Sequence, residues 1–105
     1  PAGRFIPDSM RIFEEEILSQ LPDHYTSQQA LIKDIAKVHG ELLFIHPFRE
    51  GNGRTSRILA NLMARKQGYP GLNFKRIDFN EYIIAVQQVA RKDYSRMEQI
   101  IAYTF

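Results

Sequence analysis

The chain has 105 residues, with 14 Lys and Arg against 12 Asp and Glu, 44% hydrophobic and 25% charged, a composition that excludes intrinsic disorder and leaves room for one hydrophobic core. The net charge of +2 is scattered along the chain, whereas a nucleic-acid binder gathers its basic residues into a stripe. Cysteine is absent, which rules out a disulfide framework and thiol chemistry, and no apolar run approaches the roughly 18 residues of a membrane span. The expectation is a cytoplasmic domain with neither nucleic acid nor membrane as partner. The chain opens at Pro1-Ala2-Gly3 without a methionine, as an excised or processed piece of a longer protein would.

Apolar periodicity and punctuation predict an all-α, single-domain bundle of about five helices. The first runs from Asp8 to Leu21, with Met10, Phe13, Ile17 and Leu21 on one stripe and Pro22 just beyond its end. Its acidic run Glu14-Glu15-Glu16 reads as a solvated face. A long second helix runs from about Ser27 to Ile45, opened by a Thr26 or Ser27 cap, with Leu31, Ile35, Val38, Leu42 and Ile45 toward the core. Pro47 disfavours helical geometry at the residue before it and places His46 at the edge of that helix. The third helix runs from about Asn52 to Gln67, with Ile58, Leu59, Leu62 and Met63 on its buried side, and breaks at Gly68-Tyr69-Pro70-Gly71. In Asp78-Phe79-Asn80-Glu81 the spacing predicts a capping box for the fourth, which presents Phe79, Tyr82, Ile83, Val86 and Val89 on one side. The fifth, from about Tyr94 to Tyr103, offers Met97, Ile100 and Ile101. Phe5-Ile6 and Leu72-Asn73-Phe74 suit short extended pieces.

The chemistry concentrates in His46-Pro47-Phe48-Arg49-Glu50-Gly51-Asn52-Gly53-Arg54-Thr55-Ser56-Arg57. Gly51 and Gly53 around Asn52 let backbone N–H groups converge where a helix begins, and the helix N-terminus adds partial positive charge. That combination makes an anion cradle. Arg54 and Arg57 follow three residues apart, on one face of the helix, and no acidic residue occurs between Thr55 and Gly68 to neutralise them. Two unpaired guanidiniums suit a di- or triphosphate. Glu50, the one carboxylate beside the glycines, could supply the oxygen ligand of a divalent metal shared with phosphates, and a neutral His46 could take a proton from a hydroxyl nucleophile. Each feature alone has an ordinary reading as a turn, a solvated arginine pair or a structural histidine. Their joint occurrence within one short segment is what points to a phosphate site with a base beside it.

The segment resembles the signature of the Fic domain family, His-Pro-Phe-x-(Asp/Glu)-Gly-Asn-Gly-Arg-x-x-Arg, at every specified position. The resemblance implies a helical core with the signature between its two central helices, spanning residues 1–105 here. It also implies transfer of a nucleotide, most often AMP from ATP, to a Ser, Thr or Tyr hydroxyl of a target protein. Carried over by residue, it makes His46 the general base, Glu50 the ligand of a magnesium ion on the α- and β-phosphates, and Gly51, Asn52 and Gly53 the anion hole. Arg54 and Arg57 grip the outer phosphates, and Phe48 anchors the loop to the core. Relatives with very similar signatures transfer UMP or phosphocholine, so the donor stays open. A nucleotide-binding or interaction module inactive without a flap is the alternative from another class.

Of the family's target-docking β-hairpin flap, the sequence contains at most Gly3-Arg4-Phe5-Ile6. An inhibitory helix marked (Ser/Thr)-x-x-x-Glu-(Gly/Asn) has no counterpart, since Ser95 is followed four positions on by Gln99. The helix either lies in a missing upstream segment or comes in trans as an inhibitory helix or antitoxin partner, or control works differently, and the sequence leaves these three open. The family implies a bacterial cytoplasm or delivery from a bacterium into a host cell. His39, two turns before His46, invites a His-His metal site, but without a third ligand at suitable spacing the expectation is a hydrogen-bonded helix histidine. His24 is expected to be exposed, and Tyr69 and Tyr103 are candidate self-modification targets.

Overall fold

The computed structural model describes residues 15–45 and 52–105. Four α-helices occur among them: α1 (Gln28–Ile45), α2 (Asn52–Lys66), α3 (Phe79–Val89) and α4 (Ser95–Thr104). With no strand among the described residues, the all-α class is borne out. Most of the first expected helix lies outside them. Its tail, Glu15 and Glu16, is helical, but the chain then tightens into a 3₁₀ turn at Leu18–Gln20 instead of continuing to Leu21. Leu21 is already extended, at φ −72° and ψ 135°, as a residue before proline prefers. Phe5-Ile6 also lies outside the described residues, and Leu72-Asn73-Phe74 leads into a second 3₁₀ turn, Phe74–Arg76, rather than an extended piece.

Ser27 caps α1, its hydroxyl accepting from the Ala30 N–H at 3.1 Å. Leu31, Ile35, Val38 and Leu42 are buried along α1 as their spacing predicts. The main core joins Leu31, Ile35 and Ala36 of α1 to Ala60 and Ala64 of α2, Ala85 and Val89 of α3, and Met97 and Ile101 of α4. A smaller cluster packs Ile17, Leu18 and Leu21 against Val38 and Leu42, with Leu59 and Met63. No described helix is long and apolar enough to cross a membrane.

The buried side of α2 differs from the expected one. Ser56, Ala60 and Ala64 are fully buried, whereas Ile58 and Leu62 are 54% and 58% exposed. The spacing of four residues makes Ser56, Ala60 and Ala64 one ridge, and such small side chains let α2 lie close against α1. Close approach turns Leu59 and Met63 to the flank and leaves Ile58 and Leu62 facing away. The crossing of α1 and α3 is also close: a Cβ on Gly40 would lie 2.7 Å from Cγ2 of Val89, so a glycine stands in mid-helix despite its poor propensity.

Gly68 ends α2 in the left-handed region, φ 92°, with the Tyr69 N–H bonded back to the Ala64 carbonyl at 3.1 Å. At α3 the Asp78 carboxylate accepts from the Glu81 N–H at 3.4 Å. Only that half of the expected capping box is seen, because the Glu81 carboxylate pairs instead with Arg96 of α4 at 2.7 Å. Phe79, expected in the core, is 67% exposed. It occupies the first turn of α3.

Candidate anion-binding site at the start of α2

The site forms where α1 ends and α2 begins. Among the described residues α1 reaches Ile45 and α2 begins at Asn52, and the expected stop at His46 lies outside them. His46, Phe48, Glu50 and Gly51 lie outside the described residues, so the structure positions only Asn52, Gly53, Arg54 and Arg57 of the expected set. All four belong to the first two turns of α2, whose opening turn contains no acidic residue. The unpaired N–H groups and dipole of a helix start favour an anion there.

Arg54 is exposed, while Arg57 is half-buried and folds back over the helix start. A Cβ on Gly53 would lie 3.1 Å from Nη1 of Arg57. Gly53 thus leaves space that the guanidinium uses, which adds a second reason for a glycine beside its freedom to turn. Among the described residues neither arginine forms an ion pair with a carboxylate. Arg57 also lines a cleft of about 160 Å³, whose walls include Leu43, Phe79, Ile83 and Val86. The cleft is mostly apolar, with one cation at its edge and the exposed Phe79 ring on its rim. Such a space accepts a flat ring that carries a negative group toward Arg57.

Behind the site, His39 of α1 is buried and hydrogen-bonded at both ring nitrogens. Nδ1 lies 3.1 Å from the Ser56 carbonyl oxygen of α2. A carbonyl only accepts, so Nδ1 carries the proton and Nε2 accepts from the Tyr82 hydroxyl of α3. Burial lowers the His39 pKa to about 4, with Arg57 adding a smaller push in the same direction and the Ser56 carbonyl opposing both. Burial likewise raises the Tyr82 pKa well above its ordinary value, against a lowering by Arg57. The imidazole is thus neutral, as this bonding pattern demands. The hydrogen-bonded reading of His39 holds, and the described residues contain no cluster of three or more metal-ligating side chains.

Tyr82 is what the sequence reading missed. Its place on the apolar stripe of α3 marked it as core, and nothing local indicates that its hydroxyl meets a histidine 43 residues earlier in the chain. Of the other candidates, His24 is exposed as expected, Tyr103 is exposed, and Tyr69 is half-buried with its ring edge-on to Phe105.

A family model described as Fic/DOC family matches residues 3–64. The chain is similar to protein adenylyltransferase fic-1 of Caenorhabditis elegans, with 39% identity over 71 residues, 65% of this chain and 14% of that protein. It is also similar to protein adenylyltransferase Fic of Nematostella vectensis, 34% identical over 86 residues, 79% of this chain and 19% of the relative. For protein adenylyltransferase Fic of Aedes aegypti the identity is 34% over 93 residues, 81% of this chain and 19% of the relative. The chain therefore spans between 14% and 19% of the length of these relatives. No solved structure gave a significant match. With the family model covering more than half of its residues, the chain belongs to the Fic/DOC family.

Proposed function

We propose that residues 1–105 are the core of a protein adenylyltransferase that moves AMP from ATP to a Ser, Thr or Tyr hydroxyl of another protein and releases pyrophosphate. The observation that carries this reading is the Arg57 guanidinium held over Gly53 at the N-terminus of α2, without a described carboxylate partner, beside an apolar cleft. A nucleoside triphosphate has both parts such a place can use. Its phosphates suit the helix start and the arginines, and its base suits the cleft. The names of the relatives support the same chemistry, since each is called a protein adenylyltransferase.

The roles proposed are those that the family signature implies for these side chains. His46 takes the proton from the target hydroxyl as its oxygen attacks the α-phosphorus, and the bond from that phosphorus to the bridging oxygen of the β-phosphate breaks. Gly51, Asn52 and Gly53 donate N–H groups to the charge that develops on the phosphate oxygens. Arg54 and Arg57 hold the outer phosphates and neutralise the departing pyrophosphate. Glu50 would hold magnesium together with phosphate oxygens. One carboxylate beside the phosphates fits that ion, which is commonly bound by one or two carboxylates and the substrate itself. Bound there, magnesium supplies charge neutralisation of the α- and β-phosphates. The partner in the reaction is a protein with an accessible hydroxyl. An inhibitory helix or antitoxin supplied in trans would act by occupying Arg57, and a cytoplasmic setting with free ATP suits the reaction.

A donor panel tests this reading. Purified chain is incubated with magnesium, candidate target proteins from lysate and labelled ATP, UTP or CDP-choline. Selective labelling from ATP is expected, in keeping with the relatives' names as adenylyltransferases. Selective use of UTP or CDP-choline would replace AMP transfer with transfer of UMP or phosphocholine.

A further inference from the structure

The binding elements at the start of α2 depend on how that helix is held. Ser56 sits in the turn between Gly53 and Arg57 and is fully buried. Its hydroxyl donates to the Gly53 carbonyl at 2.9 Å, and its own carbonyl accepts from His39 at 3.1 Å. The His39 ring contacts Phe74, centroids 5.2 Å apart, and Tyr82, centroids 5.6 Å apart and stacked. The Tyr82 hydroxyl closes the series on Nε2. One continuous chain of donors and acceptors therefore runs from α3 through α1 into the backbone of the turn that contains Gly53 and Arg57.

We propose that Tyr82 and His39 are positioning residues for the nucleotide site, a strut that fixes the first turns of α2 and through them the Arg57 guanidinium. Three features distinguish the strut from ordinary packing. It ends on a backbone carbonyl inside the binding turn, so it constrains the backbone that presents the N–H groups. It is directional, because the neutral imidazole can donate at only one nitrogen and accept at the other. Its outermost member, Tyr82, also lines the same cleft as Arg57, so occupancy of the cleft and tension in the strut act on one side chain. Loss of the hydroxyl leaves Nε2 buried without a donor, and the ring can recover one only by turning away from Ser56.

The proposal rests on the nucleotide reading, and a Tyr82→Phe variant tests it. That substitution keeps the ring that lines the cleft and removes only the hydroxyl turned toward His39. Wild-type and variant chains are shown by thermal unfolding to be folded and are then titrated with ATP and magnesium by calorimetry. The strut predicts an affinity lower by about tenfold with cooperative unfolding retained. Wild-type affinity in the folded variant overturns it, since a merely structural tyrosine would lower the melting temperature and leave the binding of the folded fraction unchanged. Should the variant fail to fold, the ring nitrogen chemical shifts of His39 in the wild-type chain carry the test. They should show Nδ1 protonated and Nε2 not, and should move as ATP saturates the site; shifts that stay fixed at saturation overturn the strut. A wild-type chain that binds no nucleotide contradicts the functional reading alone. The strut is then read from the side-chain N–H resonance of Arg57, which Tyr82→Phe should displace and which would coincide with wild type if the strut did not exist.

Discussion

At the scale of the residue, His39 has the sharpest consequences. Its folded-state pKa of about 4 lies below the value near 6.5 of an unfolded histidine. Between those values the unfolded chain holds a proton that the folded chain excludes, so the contribution is fully present above about pH 6.5 and is lost as pH falls toward 4. Arg57 from α2 and Tyr82 from α3 face the ring, and neither changes its own charge in that window. Wild-type stability should therefore fall from pH 7.5 to 5.5 by roughly 1 kcal/mol more than that of a His39→Gln variant, as measured by urea unfolding at both values. Parallel pH profiles for the two chains would contradict a neutral buried imidazole. The sequence made a hydrogen-bonded His39 legible, because the position lacks companion ligands. It could not reveal the partners, since Ser56 acts through a backbone carbonyl and Tyr82 through a hydroxyl that its apolar spacing conceals.

At the scale of the element, helix existence and helix ends were largely legible, and helix faces only partly. The starts of α1 and α3 follow from Ser27 and Asp78, each of which acts on its own neighbours. Faces depend on how near the neighbouring helix comes. Large apolar side chains marked Ile58, Leu62 and Phe79 as buried, yet the ridge that meets α1 is Ser56, Ala60 and Ala64. The end of α3 shows another tertiary override. Lys92 adopts a left-handed φ of 61°, where glycine is usual, and its ammonium lies 2.7 Å from the buried Glu41 carboxylate of α1. The Tyr94 hydroxyl donates to the same carboxylate. A side chain that satisfies a buried charge offsets the strain that a glycine would avoid.

Gly40 gives the element scale its test. Alanine there gains roughly 1 kcal/mol of helix propensity. Its Cβ, however, would meet Val89 Cγ2 at 2.7 Å, and overpacking of a stiff β-branched side chain costs about 1–3 kcal/mol. The close contact should win, so Gly40→Ala is expected to destabilise the chain by roughly 1 kcal/mol in urea unfolding. Val89→Ala in the same chain should remove that penalty, making the double variant more stable than the two single effects sum to. A Gly40→Ala chain at least as stable as wild type would show that the helices do not approach so closely.

At the scale of the whole molecule, four described helices pack so that α1, which runs to Ile45, lies against α2, which starts at Asn52, with six residues of chain between them. The core that fixes this arrangement is built from residues outside the signature, from Leu31 and Ile35 of α1 to Val89, Met97 and Ile101 near the C-terminus. That separation explains how the site could be read from its own residues while its support could not. The signature is local, and its meaning lies in residue types and spacing. The cleft beside Arg57 takes walls from α1, α2 and α3, and only the fold assembles it.

The most direct measurement of adenylyl transfer is the intact mass of proteins recovered after incubation of the chain with ATP and magnesium, alone and with lysate. An added mass of one AMP on a protein, present with the wild-type chain and lost with His46→Ala while that variant still binds ATP by calorimetry, is the predicted result. An AMP adduct formed equally by His46→Ala would contradict His46 as the base, and the absence of any adduct despite measurable ATP binding would contradict transfer by this chain and leave it a nucleotide-binding module.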